Sequence, residues 1–185
     1  MSSNNTALEY TSVSGIMIAD VKTAHKNQSI HTVCKIMHEN KIGSIVILDN
    51  ITNNKDGDRI PTGIITERDI VRLIGLYDKS SSLSSSSFID RPVSDVMSTP
   101  LTTINPNSSL RDAIQTMQQK DIRRLPVVDN RGKMLGIVTS KDIFMTVAKN
   151  QALVSGFVSD PILVDQQPLY GRFTDYLFKD IMYRS

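Results

Sequence analysis

Apolar residues recur at helical spacing twice along this chain. Ile30, Val33, Cys34 and Met37 fall at i, i+3, i+4 and i+7, and Leu110, Ala113, Ile114 and Met117 repeat the pattern. Each set marks one apolar helix face, with Ser29 and Ser109 placed as N-caps and Asp112 adding a first-turn charge that suits the helix dipole. A run rich in β-branched residues follows each helix, Ser44-Ile45-Val46-Ile47-Leu48 and Leu125-Pro126-Val127-Val128, and both run into Asp-Asn, as a buried strand entering a turn does. Pro126 suggests an edge position or a strand start. A second strand is expected from Gly63 to Thr66 and from Gly136 to Thr139. A second helix then carries Ile70, Val71, Leu73 and Ile74 in one case, and Ile143, Phe144, Val147 and Ala148 in the other.

These parallels form one internal duplication. A shift of 80 positions places Val13 on Val93, Met17 on Met97, Thr23 on Thr103 and Asp49 on Asp129. The shift then drops to 73, so that Gly63-Ile64-Ile65-Thr66-Glu67-Arg68-Asp69-Ile70 meets Gly136-Ile137-Val138-Thr139-Ser140-Lys141-Asp142-Ile143. The first copy therefore carries a seven-residue insertion within Ile51–Arg59, read as an enlarged hairpin tip because Asn, Asp and Gly suit tight turns. A calcium loop is the sharper reading of that segment, but the spacing lacks the terminal Glu and flanking helices of an EF-hand. Each unit reads as lead-in strand, helix, strand, strand, helix. About 60 residues bury too little to be comfortable alone, so two such units should pack together.

Composition narrows the class. The chain has 185 residues, 39% of them hydrophobic, and no apolar run near the ~20 residues that cross a bilayer. Its polar, uncharged start carries no secretory signal, and the single cysteine on a core face fits a reducing interior, so a cytoplasmic protein is expected. A net charge of +2 is too mild to imply nucleic acid unless the basic residues cluster. The organisation reads as an N-terminal segment (1–12), a first domain (13–77), a Ser-rich linker (78–90), a second domain (91–150) and an aromatic-rich C-terminal extension (151–185).

The paired Gly-Ile-aliphatic-Thr-x-basic-Asp-Ile motifs, each preceded by an Asp-terminated aliphatic strand and an amphipathic helix, resemble a tandem pair of CBS domains. The resemblance covers residues 13 to about 149. It implies an α+β fold of two β-α-β-β-α modules packed pseudo-symmetrically through their sheets, with two clefts that take AMP, ADP, ATP or S-adenosylmethionine as regulatory ligand and require no other cofactor. In such proteins the motif Asp, here Asp69 and Asp142, bonds the ribose hydroxyls, and the motif Thr, here Thr66 and Thr139, lies near the phosphate.

By the same analogy one cleft combines Val21, Lys22, Ile42, Gly43 and Ser44 with Ile137, Thr139 and Asp142. The other combines Leu101, Thr102, Ile122 and Arg123 with Ile64, Thr66 and Asp69, and Arg124 is placed to reach either. The lead-in Met97-Ser98-Thr99-Pro100-Leu101-Thr102-Thr103 keeps the family pattern, whereas Asp20 replaces the usual Pro in the first copy. The cleft with Thr102 and Asp69 is therefore favoured for a nucleotide. The resemblance also implies a homodimer signalling to an unidentified effector; the missing catalytic motifs and long apolar runs lead us to expect neither catalysis nor membrane insertion.

The residues themselves leave rival readings open. Thr66-x-x-Asp69 and Thr139-x-x-Asp142 also have the form of N-caps with an acidic third helical residue, which would satisfy helix-start amides with no ligand. A protein of that kind would be a constitutive scaffold with empty clefts. His31, Cys34 and His38 share one side of a helical wheel as a zinc site would, yet their repeat counterparts, Arg111, Ile114 and Gln118, argue for a core cysteine with solvent-facing flanks. No nucleophile elbow, phosphate loop with Lys or His-Glu-x-x-His motif appears. Residues 157–185 hold six of the ten aromatics, and Phe173, Tyr176, Leu177 and Ile181 can line one helical face, which needs a surface to cover it.

Overall fold

The computed structural model describes residues 7–49, 59–76 and 88–159. After a short helix α1 (Ala7–Tyr10) and a 3₁₀ turn (Val13–Gly15), the first copy runs β1 (Thr23–His25), α2 (Ile30–Asn40), β2 (Ser44–Leu48), β3 (Pro61–Thr66) and α3 (Glu67–Leu76). The second opens on a 3₁₀ turn (Val93–Asp95) and runs α4 (Leu110–Gln119), β4 (Arg124–Val128), β5 (Met134–Thr139) and α5 (Ser140–Ala148), followed by α6 (Gln151–Ser159).

The caps form where the sequence places them. Ser29 accepts the Thr32 amide, while Ser109 and Asp112 close a reciprocal capping box, because only the second copy has a carboxylate three residues in. Both helices end alike, with Lys41 and Asp121 in the left-handed region at φ 52° and 49°. The next amide then turns back, Ile42 N–H to Met37 O at 3.0 Å and Ile122 N–H to Met117 O at 2.9 Å, which aims the chain into β2 and β4.

β2 lies between β1 (parallel) and β3 (antiparallel). β4 and β5 form a two-stranded sheet, and the expected lead-in strand of the second copy shrinks to an isolated parallel bridge, Ile104 to Val127. The cause is Pro106: its counterpart Lys26 donates an amide to Leu48 O, and a proline has none to donate. Pro126 itself sits inside β4, where its carbonyl accepts the Ile104 amide. The insertion expected as a hairpin tip lies outside the described residues except for Arg59. The Ser-rich linker is described only from residue 88, and the extension only to residue 159.

The chain separates into two compact units that cut across the two copies. One comprises residues 1–18, 104–127 and 137–185, and the other residues 19–103 and 128–136. Each unit has its own core, and the first segment of one copy completes the core of the other. Val13 is fully buried among α4, β4 and α5 residues including Leu110, Leu125 and Ile143, and its amide bonds Ser108 O at 2.8 Å. Val93 is fully buried with Val33, Ile45 and Ile65, and its amide bonds Gln28 O at 2.8 Å.

In the unit built on α4 and α5, Leu8 of α1 and Leu153 of α6 join the core, at 0% and 2% exposure. Arg111 of α4 also pairs with Glu9 of α1 at 3.3 Å.

Candidate functional site

Each motif threonine stands where a strand becomes a helix, and backbone chemistry sets its position. At the β3–α3 junction the Thr66 amide and hydroxyl both donate to Asp69 Oδ2, at 2.9 and 2.7 Å, and the Asp69 amide returns a longer bond to Thr66 Oγ1 at 3.4 Å. At the β5–α5 junction Thr139 and Asp142 repeat this at 2.9, 2.6 and 3.3 Å. Both pairs are therefore complete capping boxes. That use occupies one carboxylate oxygen of each aspartate. The Asp69 side chain is 13% exposed, and its other oxygen has Arg72 at 3.9 Å as a distant ion partner, so it is neither turned out into bulk water nor saturated.

The lead-in segments meet these junctions crosswise. In one unit Ser98 exchanges two backbone bonds with Ile64, at 2.8 and 3.2 Å, and the Thr99 hydroxyl donates to Thr62 O at 3.3 Å. This carries Leu101 and Thr102, after a cis Thr99–Pro100 bond, along from the strand that ends at Thr66. In the other unit Ile18 and Ile137 exchange two bonds of 2.9 Å. The crossing depends on Gly63: a Cβ there would stand 2.5 Å from Met97 Sδ and 2.9 Å from its Cγ, so the lead-in lies on bare backbone.

The residues at the heads of β2 and β4 fall beside the motif of their own copy. The Glu67 amide bonds Gly43 O at 3.2 Å and the Ser140 amide bonds Arg123 O at 2.8 Å. Thus Ile42, Gly43 and Ser44 lie in the unit that holds Asp69, and Ile122, Arg123 and Arg124 in the unit that holds Asp142.

Val21 and Lys22 belong to the Asp69 unit, where Val21 O accepts from Arg59 Nη2 at 3.1 Å and Lys22 pairs with Asp20. Sequence reasoning did not anticipate this bond of Arg59, because nothing in its polar insertion marks it as different from its neighbours. Arg123 is solvent-exposed and Arg124 half-buried. Glu67, whose counterpart is Ser140, lays its carboxylate over Gly43, whose counterpart is Arg123. The two copies thus differ in charge at matching places.

Among the described residues no group of His, Cys, Asp and Glu could hold a metal ion, and His31, Cys34 and His38 do not assemble one. Burial raises the Cys34 thiol above its ordinary pKa. Among the described residues no helix is long and apolar enough to cross a membrane.

The family model described as "CBS domain" matches residues 13–76 and 93–149. An uncharacterised protein of Methanopyrus kandleri is 38% identical over 132 residues, 71% of this chain and 60% of that protein. The CBS domain-containing protein YhcV of Bacillus subtilis is 32% identical over 149 residues, 80% of this chain and 94% of that one. Among solved structures, the CBS domain pair of protein MJ0100, in complex with 5′-methylthioadenosine and S-adenosyl-L-methionine, superposes with a TM-score of 0.61 at 26% identity, covering 75% of this chain and 97% of that one.

Proposed function

The chain belongs to the CBS-domain family, and on that footing we propose that it is a regulatory module which binds an adenosine-containing ligand and reports its occupancy to a separate effector. The observation that carries this reading is the crossed arrangement of lead-in and motif. Each Thr–Asp pair sits at a strand-to-helix junction whose strand is paired with the lead-in of the other copy. A ligand gripping such a junction touches both copies at once, so it can bias their relative arrangement. It does so only as far as it binds one arrangement better than another.

The chemistry divides among the residues present. The uncommitted oxygen of Asp69 or Asp142 suits a ribose hydroxyl, the helix start at Thr66 or Thr139 suits an anion, and Arg123 and Arg124 offer planar donors for phosphate. The site with Asp69 and Thr102 is the preferred one for a nucleotide, because its lead-in retains Pro100. The complex of the MJ0100 domain pair supports an adenosyl ligand, including S-adenosylmethionine, and ATP, ADP and AMP are proposed from the arginines. Catalysis is not part of the proposal. Cytoplasmic residence and a homodimer are, with the dimer resting on family resemblance and open to light scattering.

One specific observation favours the scaffold alternative: both capping boxes are complete without a ligand. Mass spectrometry of small molecules released from the purified protein on denaturation separates the two. An adenosine-containing species in stoichiometric amount is expected, and a stoichiometric molecule of another class overturns the assignment.

A further inference from the structure

The duplication lets the two lead-ins be compared bond for bond. Both exchange two backbone bonds with a crossing strand, Ser98 with Ile64 and Ile18 with Ile137, and then diverge. In the second copy the next two residues are Thr99, whose hydroxyl donates to Thr62 O at 3.3 Å, and Pro100, whose ring fixes its own φ and disfavours helical backbone at Thr99. The first copy has Ala19 and Asp20 at those places, 80 residues earlier. Alanine has no hydroxyl to donate, and aspartate has no ring. Burial does not make up the difference, since Ala19, Asp20 and Lys22 are exposed and Val21 is only half-buried.

A different residue takes hold of this segment. Arg59 Nη2 donates to Val21 O at 3.1 Å, across 38 positions of sequence. The arm is also held at its base, because Arg59 O accepts the Met134 amide at 2.8 Å. Ala19 to Lys22, Arg59 and Met134 all belong to one compact unit. The other bonds of the segment are internal to it: the Val21 amide turns back on Ala19 O at 3.0 Å, and Lys22 pairs with Asp20 at 3.2 Å. Arg59 stands two residues before β3. Two residues before β5 stands Gly132, at φ 80°, which has no side chain to send to the second lead-in. Each copy therefore has one anchoring device and lacks the other.

We propose that Arg59 is a positioning residue of the ligand site to which the first lead-in belongs. By holding Val21 O it fixes Val21 and Lys22 for the ligand, replacing what Thr99 and Pro100 do for Leu101 and Thr102. The proposal rests on the adenosyl-binding reading above, in which each lead-in forms part of a site, and adds that the site lacking the proline is competent too.

Calorimetric titration of the full chain with S-adenosylmethionine tests it. Arg59→Met keeps an apolar stem without the donor, and should weaken one site about tenfold, the low end of what one charged hydrogen bond is worth, while leaving the other unchanged. Arg59→Lys keeps a cationic donor and should bind within about threefold of the unsubstituted chain. Asp20→Pro added to Arg59→Met should recover most of the lost affinity, because a ring then restrains the segment that the guanidinium had held. An arginine that served folding alone would show neither the one-site loss nor this recovery. Binding by Arg59→Met equal to that of the unsubstituted chain overturns the proposal while the adenosyl reading stands. So does weakening of every site alike with a lower urea midpoint, or a loss that neither Arg59→Lys nor Asp20→Pro repairs. No binding by the unsubstituted chain overturns the adenosyl reading itself, and this proposal with it.

Discussion

Replacement of Asp69 by Asn and by Ala separates the two tasks assigned to this carboxylate. Asp69 Oδ2 accepts from the Thr66 amide and hydroxyl, and asparagine can offer a carbonyl oxygen in the same place. Loss of a helix N-cap costs roughly 0.5–2 kcal/mol, so Asp69→Ala should lower stability by about that much. Asp69→Asn keeps the acceptor and loses only the favourable charge at the start of α3, about 0.3–1 kcal/mol. The remaining oxygen leaves room for one charged hydrogen bond to a ribose hydroxyl, worth roughly 1.5–3 kcal/mol. By the usual conversion that is about a 10- to 150-fold weakening of adenosyl-ligand affinity in both variants. Urea titration and calorimetric titration of the same samples read the two effects separately. An asparagine variant that binds as tightly as the original refutes the ribose role, and the pair is then a cap alone.

Three further outcomes follow from the packing. Gly63→Ala forces Met97 aside and should cost about 1–3 kcal/mol, the usual range for overpacking, measured by urea titration; an unchanged midpoint would show that the lead-in does not lie on that glycine. Val13→Ala and Val93→Ala each remove two methyl-sized groups from a fully buried site and should each cost about 2–3 kcal/mol, although neither residue lies in its own copy's core; a loss below about 0.5 kcal/mol would contradict the exchange. Since burial raises the Cys34 thiol, the unfolded chain ionises first as pH rises. The associated stability is present below the ordinary thiol pKa and is lost as pH climbs through the folded value, so Cys34→Ser should flatten the alkaline limb of a stability–pH curve.

The helix faces were legible in the sequence because the period of Ile30, Val33, Cys34 and Met37 is a local property of an apolar stripe, and Ser29 and Ser109 marked their starts for equally local reasons. The element order of each unit followed from reading the same pattern twice, the fold class was implied by the family resemblance, and the CBS-domain match bears it out. The extent of the lead-in strands was less legible. That Pro106 would end the second ladder depends on which strand it would have bonded. The crossing of Val13 and Val93 into the opposite cores joins residues far apart in sequence, and no window along the chain reports it. α1 was missed for a similar reason: four residues carry no periodicity, and Leu8 is understood only through the α4 and α5 surface that it covers.

At the candidate site the capping role of Asp69 and Asp142 could be derived from three-residue spacing and appears as hydrogen bonds. The ligand sets were supplied by resemblance, and each draws on residues of both units. Glu67 over Gly43 was not anticipated, since Glu at the start of a helix is unremarkable until the neighbour it leans on is known.

Calorimetric titration of the unsubstituted protein with ATP, AMP and S-adenosylmethionine, each to its physiological concentration, tests the regulatory assignment most directly. Saturable binding of at least one, at no more than two sites per chain, is the predicted result. Absence of binding by all three from ligand-free protein would leave two well-capped CBS domains and contradict their assignment as an adenosyl sensor.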